Sequence, residues 1–333
     1  MRTTAVLGAG SWGTALAIHL ARAGHAVRLW ARDADFVEAM HAARANARYL
    51  PGIPLDGDIH PTASLGEALD DARFVIVAVP SHGLRAVVQR ARPHLETGAI
   101  LVSATKGLEV DTLQRMSQLI ADETEGTCRI VVLSGPSFAE EVARGLPTAV
   151  LAASADGDAA EAVQEHFRGP GLRLYVNHDV AGVEIGGALK NVIAIAAGCV
   201  EGLQLGHNAL AALITRGLAE MSRLALAEGG RRDTLAGLSG LGDLVLTCTG
   251  DLSRNRRVGI ALGRGRSLAE ILAGTRMVAE GVRTTRAALA LGARHGIELP
   301  IAAQMQEVLD GRCSPLSAVE ALMLRRQRPE ADG

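Results

Sequence analysis

The sequence predicts an α/β fold in two domains, a doubly wound sheet followed by an all-α domain. Three observations carry this reading. Short apolar runs alternate with helical patterns across residues 1–178, the signature of a mostly parallel sheet with helices on its faces. From Asp179 onward the patterns are helical almost throughout. The length of 333 residues gives room for two separate cores.

Composition bounds the function. Hydrophobic residues make up 48% and charged residues 21%, so the chain buries a core and is not disordered. The formal net charge of -2 argues against nucleic-acid binding, which usually brings a basic excess. The four cysteines, Cys128, Cys199, Cys248 and Cys313, are widely spaced with no CxxC pair. Free thiols in a reducing cytoplasm are expected, and no metal site. The ten histidines show no HExxH or comparable ligand spacing. The N-terminus enters a strand at once, with no signal-peptide layout. The most apolar stretch, Val183–Met221, is broken by Lys190, Glu201 and His207, so no membrane insertion is expected.

Taken in order, Thr3–Leu7 reads as a strand and Thr14–Ala23 as a helix that stops at Gly24. Between them stands Gly8-Ala9-Gly10-Ser11-Trp12-Gly13, a GxGxxG loop in a strand–loop–helix setting. Gly8 makes the turn, Gly10 admits a pyrophosphate, and Gly13 lets helix and strand pack closely. The free N–H groups of the helix start favour a phosphate. Together these read as a Rossmann-type dinucleotide site. Trp12 is bulky for such a loop and is expected over the ligand or against a second domain.

The second strand, Ala26–Trp30, runs into Ala31-Arg32-Asp33. Arg32 suits the 2′-phosphate of NADP, whereas Asp33 suits the ribose hydroxyls of NAD. NADPH is the expected cofactor, and NADH stays open. Phe74–Val79 is an apolar strand, and Ile100–Ser103 is the next, followed by Ala104-Thr105-Lys106-Gly107. Lys106 thus falls at a strand's carboxyl end, the ligand edge of such sheets. Ile130–Leu133 leads into Ser134-Gly135-Pro136-Ser137-Phe138-Ala139-Glu140-Glu141, a helix-start pattern. Thr148–Ala152 and Leu172–Val176 complete the strands.

In the helical half, Val183–Val200 places Val183, Gly186, Gly187, Lys190, Ala194 and Ala197 on one stripe. Two readings of Lys190 are open. It snorkels to water, or it lines a pocket over a trough of small residues and works on a substrate. Polar clusters follow at Gly240-Leu241-Gly242-Asp243-Leu244, at Ser253-Arg254-Asn255-Arg256-Arg257 and at Val278-Ala279-Glu280-Gly281-Val282. The arginine cluster suits a phosphate, which guanidinium binds bidentately. Ile301–Leu309 and Ser317–Leu324 read as closing helices. The expected boundaries are 1–178 for the nucleotide domain, 179–325 for the helical domain and 326–333 for a disordered tail. The Ala- and Leu-rich helices offer a surface for a homodimer.

These blocks, in this order, resemble the bacterial type of NAD(P)-dependent sn-glycerol-3-phosphate dehydrogenase. The resemblance rests on GAGSWGTALA (Gly8–Ala17), Lys106-Gly107, SGPSFAEEV (Ser134–Val142), GGALKNVIAIAAG (Gly186–Gly198), LSGLGDLVLTC (Leu238–Cys248), SRNRRVG (Ser253–Gly259) and EGVRT (Glu280–Thr284). It implies the interconversion of dihydroxyacetone phosphate and sn-glycerol 3-phosphate, in service of phospholipid synthesis. It implies cofactor contacts from Ser11, Trp12, Arg32, Lys106, Ala139, Arg254, Val278 and Glu280. It implies substrate contacts from Lys106, Gly135, Ser137, Asp243, Ser253, Arg254 and Asn255, with Lys190 as proton donor and acceptor. Two rivals stand beside it. One is the 3-hydroxyacid or 6-phosphogluconate dehydrogenase group, which shares this two-domain plan and a catalytic lysine. The other is a module that senses NADPH without turnover.

Overall fold

The computed structural model describes residues 3–273, 279–326 and 329. It divides into two compact units: Met1–Lys106 with Met116–Val180, and Gly107–Arg115 with Ala181–Gly333. The sequence reading did not separate Gly107–Arg115 from the first half.

The first unit alternates strands and helices. These are β1 (Thr3–Leu7), α1 (Ser11–Arg22), β2 (Val27–Trp30), α2 (Ala34–Ala43), β3 (Ile59–Thr62), α3 (Leu65–Leu69), β4 (Ala72–Val77), α4 (Leu84–Ala91), β5 (Ile100–Ser103), α5 (Met116–Glu123), β6 (Arg129–Ser134), α6 (Ala139–Ala143), β7 (Thr148–Ala153), α7 (Gly157–His166) and β8 (Leu172–Asn177). The eight strands form one sheet in the order β3-β2-β1-β4-β5-β6-β7-β8. All neighbouring pairs are parallel except β6 and β7. Helices on both faces make this the doubly wound plan expected. Two features differ from expectation. The sequence reading omitted β3, a four-residue edge strand containing His60 and Pro61, because an edge tolerates proline and needs no apolar run. The β6–β7 pair, joined through the five-residue α6, is antiparallel and so departs from the all-parallel pairing of the other strands.

The core lies on both sheet faces. Val6, Ile76, Val102 and Val131 point to one side with Leu16, Leu20 and Phe167. Leu7, Val75, Val77 and Leu101 point to the other with Leu84 and Ile120. At the amino edge of the strands, His166 stacks on Phe74, with centroids 3.8 Å apart and planes at 7°. The His25 ring lies 4.0 Å away, and Nε2 of His166 is 2.9 Å from Thr4 Oγ1. This cluster secures the edge opposite the one where ligands bind in such sheets.

The second unit contains α8 (Val180–Gly202), α9 (Gly206–Ala227), α10 (Arg232–Ala236), α11 (Asp243–Thr249), α12 (Arg254–Gly263), α13 (Leu268–Ala273), α14 (Glu280–Arg294), α15 (Pro300–Leu309) and α16 (Pro315–Met323). Leu238–Gly242 forms a π-helical turn ahead of α11. α8 is the axis: every residue from Gly182 to Val200 is buried. Its length and apolarity would suit a membrane span, but its apolar window is wholly enclosed by the unit, which is the mark of a core helix. Glycines on α8 let neighbours approach. A Cβ on Gly198 would lie 2.0 Å from the Arg256 carbonyl, and one on Gly186 would lie 2.7 Å from the Ser239 carbonyl. Part of the small-residue trough expected beside Lys190 is therefore filled by backbone.

Burial, with repulsion from His25 and Arg73, pulls the His166 imidazole down to about 3 from 6.5. The unfolded chain thus takes up this proton before the folded one does. The stability contributed by neutral His166 is complete above about 6.5 and is lost as pH falls toward 3. Melting temperature should fall between pH 7 and pH 5, and His166→Gln should flatten that slope. Equal slopes in the two proteins would show that His166 does not carry the acid sensitivity.

Candidate active site

The functional side chains fall into two sets, one in each unit. The first begins at the β1–α1 loop. Gly8 has φ +117°, a value favouring glycine, and a Cβ there would meet the Ala78 carbonyl at 2.8 Å. A Cβ on Gly13 would lie 1.9 Å from the Gly8 carbonyl, so this glycine is needed for the turn itself. Around Gly10 the space is different: nothing lies within 4 Å of a built Cβ. Gly10 is small to leave room for something outside the chain, as a pyrophosphate requires. It also caps α1, whose first N–H groups point outward.

Ser11 Oγ donates to the Tyr49 carbonyl at 2.6 Å, which holds the loop and leaves its N–H for a ligand. Trp12 packs against the sheet unit's own core, rather than standing clear of it. Its Nε1 is buried with no hydrogen-bond partner among the described residues. A donor left so is costly unless a ligand or water takes the bond. Open space at Gly10 and a waiting donor at Trp12 fit a bound dinucleotide.

The end of β2 separates the two cofactor readings. Asp33 caps α2 by accepting from Phe36 N at 3.2 Å and pairs with Arg48 at 3.0 Å. The Arg48 guanidinium lies 4.6 Å over the Phe36 ring. The hydrogen bond from Arg48, helped by the Phe36 N–H, holds the Asp33 carboxyl below the usual range. Asp33 is thus occupied by structural partners. Arg32 is exposed beside it, with no ion pair among the described residues.

At the carboxyl edge of β5 and β6, three predicted residues meet at one atom. The Gly135 carbonyl accepts from Lys106 Nζ at 2.9 Å and from Ser137 Oγ at 3.0 Å. Gly135 has φ +138°, and a Cβ there would press on Val150 Cα at 3.0 Å, so the turn needs glycine. Ala139 opens α6 two residues on. Thr105 Oγ1 donates to the Val79 carbonyl at 2.8 Å and so ties the residue before Lys106 to the neighbouring strand's end.

The second set surrounds Lys190, which does not snorkel. The residue is 7% exposed. Its Nζ donates to the Asp243 carboxylate and, at 3.0 Å, to Thr247 Oγ1. Thr247 in turn donates to the Asp243 carbonyl at 2.6 Å. Asp243 is 0% exposed. A buried ammonium needs such partners, since burying an isolated charge is prohibitive. The sequence reading placed Asp243 on the substrate and did not single out Thr247. Their spacing of four on one helix carried the signal.

A second buried network runs beside it. Asn255 Nδ2 donates to Asn191 Oδ1 at 2.9 Å, and Gly281 N donates to Asn255 Oδ1 at 3.0 Å. A Cβ on Gly281 would lie 2.6 Å from the Asn191 carbonyl. The chain neighbours of Lys190, Arg254 and Glu280 are thus joined. The Asn255 side chain is committed to this joint.

Ser253 caps α12, with Oγ accepting from Arg256 N at 3.2 Å. Arg256 pairs with Glu201 at 2.6 Å and Asp251 at 2.9 Å, which removes it from the phosphate cluster. Arg254, at the first position of α12, has its pKa lowered by desolvation, with Glu280 opposing that shift. Its side chain remains open to solvent in part. Val278 lies outside the described residues.

Comparisons with known proteins identify the family. Residues 3–160 match the family model for the N-terminus of NAD-dependent glycerol-3-phosphate dehydrogenase, and residues 179–320 match that for its C-terminus. The chain belongs to this family. A protein named glycerol-3-phosphate dehydrogenase [NAD(P)+] from Koribacter versatilis is 53% identical over 334 residues, covering 99% of each chain. One of the same name from Thioalkalivibrio sulfidiphilus is 53% identical over 326 residues, covering 98% of each. The crystal structure of glycerol-3-phosphate dehydrogenase from Coxiella burnetii superposes with a TM-score of 0.94 at 42% identity, covering 97% of this chain and 99% of that one. Family membership favours this dehydrogenase over the 3-hydroxyacid and 6-phosphogluconate group.

The two glycines make the cofactor reading testable. Gly13→Ala should cost the fold, because its Cβ has no space. Gly10→Ala should leave the melting temperature unchanged and abolish NADPH binding, read as quenching of protein fluorescence. An unchanged affinity in Gly10→Ala would remove the pyrophosphate from this loop.

Proposed function

We propose that the chain catalyses the NAD(P)H-dependent reduction of dihydroxyacetone phosphate to sn-glycerol 3-phosphate, and the reverse reaction. The observation that carries the mechanism is the buried Lys190 ammonium held by Asp243 and Thr247. Hydride transfer is the chemistry that a bound nicotinamide supplies. The protein must bind, orient and move one proton. Reduction leaves negative charge on the C2 oxygen, and Lys190 Nζ donates a proton there; in oxidation the neutral amine takes the hydroxyl proton back. Asp243 and Thr247 aim Nζ and keep it from swinging away. Stabilising the alkoxide that develops on the C2 oxygen with a positioned donor is worth most in a dry site, and the burial of Lys190 on α8 favours one.

Arg254 and the first N–H groups of α12 would hold the substrate phosphate, with Ser253 and Asn255 fixing that helix start. Lys106, Gly135 and Ser137 would contact the substrate from the sheet unit, and Asp243 would act on it through Lys190. Gly8, Gly10, Ser11, Trp12 and Gly13 would carry the pyrophosphate, with Ala139 and Glu280 as further cofactor contacts. Arg32 beside a committed Asp33 favours NADPH over NADH. No metal enters this scheme. The cofactor domain would span 1–178 and the substrate domain 179–325, with Gly107–Arg115 grouped with the latter. A cytoplasmic setting without membrane insertion, a homodimer and supply of glycerol 3-phosphate for phospholipid synthesis complete the reading.

The test is oxidation of NADPH and NADH, followed at 340 nm, with dihydroxyacetone phosphate and with free dihydroxyacetone. Turnover should require the phosphate and be faster with NADPH. In Arg254→Ala the KM for the phosphorylated substrate should rise by about tenfold or more, in keeping with loss of a charged hydrogen bond. NADPH binding with no turnover of dihydroxyacetone phosphate would instead support a sensing role.

A further inference from the structure

Between Lys106 and Met116 the chain leaves the sheet unit, and Gly107–Arg115 belongs to the helical one. This strap closes on itself. Leu108 and Arg115 form an antiparallel bridge, and Glu109 N donates to the Gln114 carbonyl at 3.0 Å. Leu108 is 2% exposed within the helical core, and Val110 and Leu113 pack against that core. At the strap's far end, Arg115 Nη1 donates to Glu184 at 2.7 Å, and its Nε lies 3.6 Å from Glu228. Glu228 is 2.6 Å from His295 Nε2. Arg294 Nη2 donates to the Thr112 carbonyl at 3.3 Å.

Glu184 is 5% exposed and sits on α8, six positions before Lys190. An ion pair this buried is expensive to desolvate, and apolar residues of similar volume would often serve stability as well. The strap already has apolar anchors in Leu108, Val110 and Leu113. Apolar contacts are non-directional, whereas a charged hydrogen bond fixes one register. We propose that Arg115 is a positioning residue for the reaction. Its pair with Glu184 fixes the strap on α8, and chain continuity passes that restraint to Gly107 and Lys106. This rests on the reading of Lys106 as a substrate contact.

The experiment uses the full chain with Arg115→Gln, Arg115→Lys, Glu184→Gln and Lys106→Ala. Steady-state kinetics with dihydroxyacetone phosphate and NADPH are measured beside hydrogen exchange of peptides covering residues 107–115. Arg115→Gln should speed exchange in the strap and raise KM for dihydroxyacetone phosphate by about tenfold or more, as small misplacements of contact groups do. Affinity for NADPH and kcat should move much less, and Arg115→Lys should restore most of the KM. Glu184→Gln should reproduce the effect and serves if Arg115→Gln does not fold. A faster-exchanging strap with unchanged KM would overturn the inference, as would unchanged exchange. If Lys106→Ala raises KM and Arg115→Gln does not, the inference alone fails. If Lys106→Ala leaves KM unchanged, the reading of Lys106 falls and the inference goes with it.

Discussion

A charged amine at the middle of a helix enclosed on all sides is the constraint on which the helical unit depends. Lys190 is placed where an unpaired charge would be untenable, and the unit answers with Asp243 and Thr247 on one turn of α11. That turn must therefore be held against α8. The π-helical turn at Leu238–Gly242 brings α11 in, and Gly186 lets the Ser239 backbone pass at a distance that no side chain would permit. π-Helical turns often mark functional positions.

The same logic orders the neighbours. Asn191, Asn255 and the Gly281 N–H form a buried polar joint with each member satisfied. Such networks are worthwhile only when complete, and they then fix one arrangement. This joint ties the starts of α12 and α14 to α8 beside Lys190. Positions bearing Arg254 and Glu280 inherit that fixity from their chain neighbours. The sheet unit uses a different device, backbone turns that only glycine permits, at Gly8, Gly13 and Gly135.

Much of this was legible in the sequence. The strand–GxGxxG–helix unit, Lys106 at a strand end and the all-α second half follow from local pattern, and the structure realises them. Lys190 was singled out for a reason that holds only in part. Its trough of small residues accommodates other backbones, at Gly186 for one, and the decisive partners lie 53 and 57 positions away. Composition could not reveal that Arg256 is neutralised by Glu201 and Asp251, or that Asp33 is spent on Phe36 N and Arg48. These are pairings set by tertiary approach. β3 escaped notice because an edge strand with His60 and Pro61 carries no periodic signal. The Gly107–Arg115 excursion escaped because its anchors, Leu108 and Arg115, look like any loop residues until Glu184 is placed beside them.

The central claim is that Lys190 moves the proton and does not merely fill space. The most direct measurement is single-turnover reduction of dihydroxyacetone phosphate by Lys190→Ala at saturating NADPH, with ligand affinities measured separately. The account predicts a rate lowered by about 10²–10⁴-fold, the usual worth of a positioned acid–base group, with both affinities little changed. A wild-type single-turnover rate in a folded Lys190→Ala protein would contradict it.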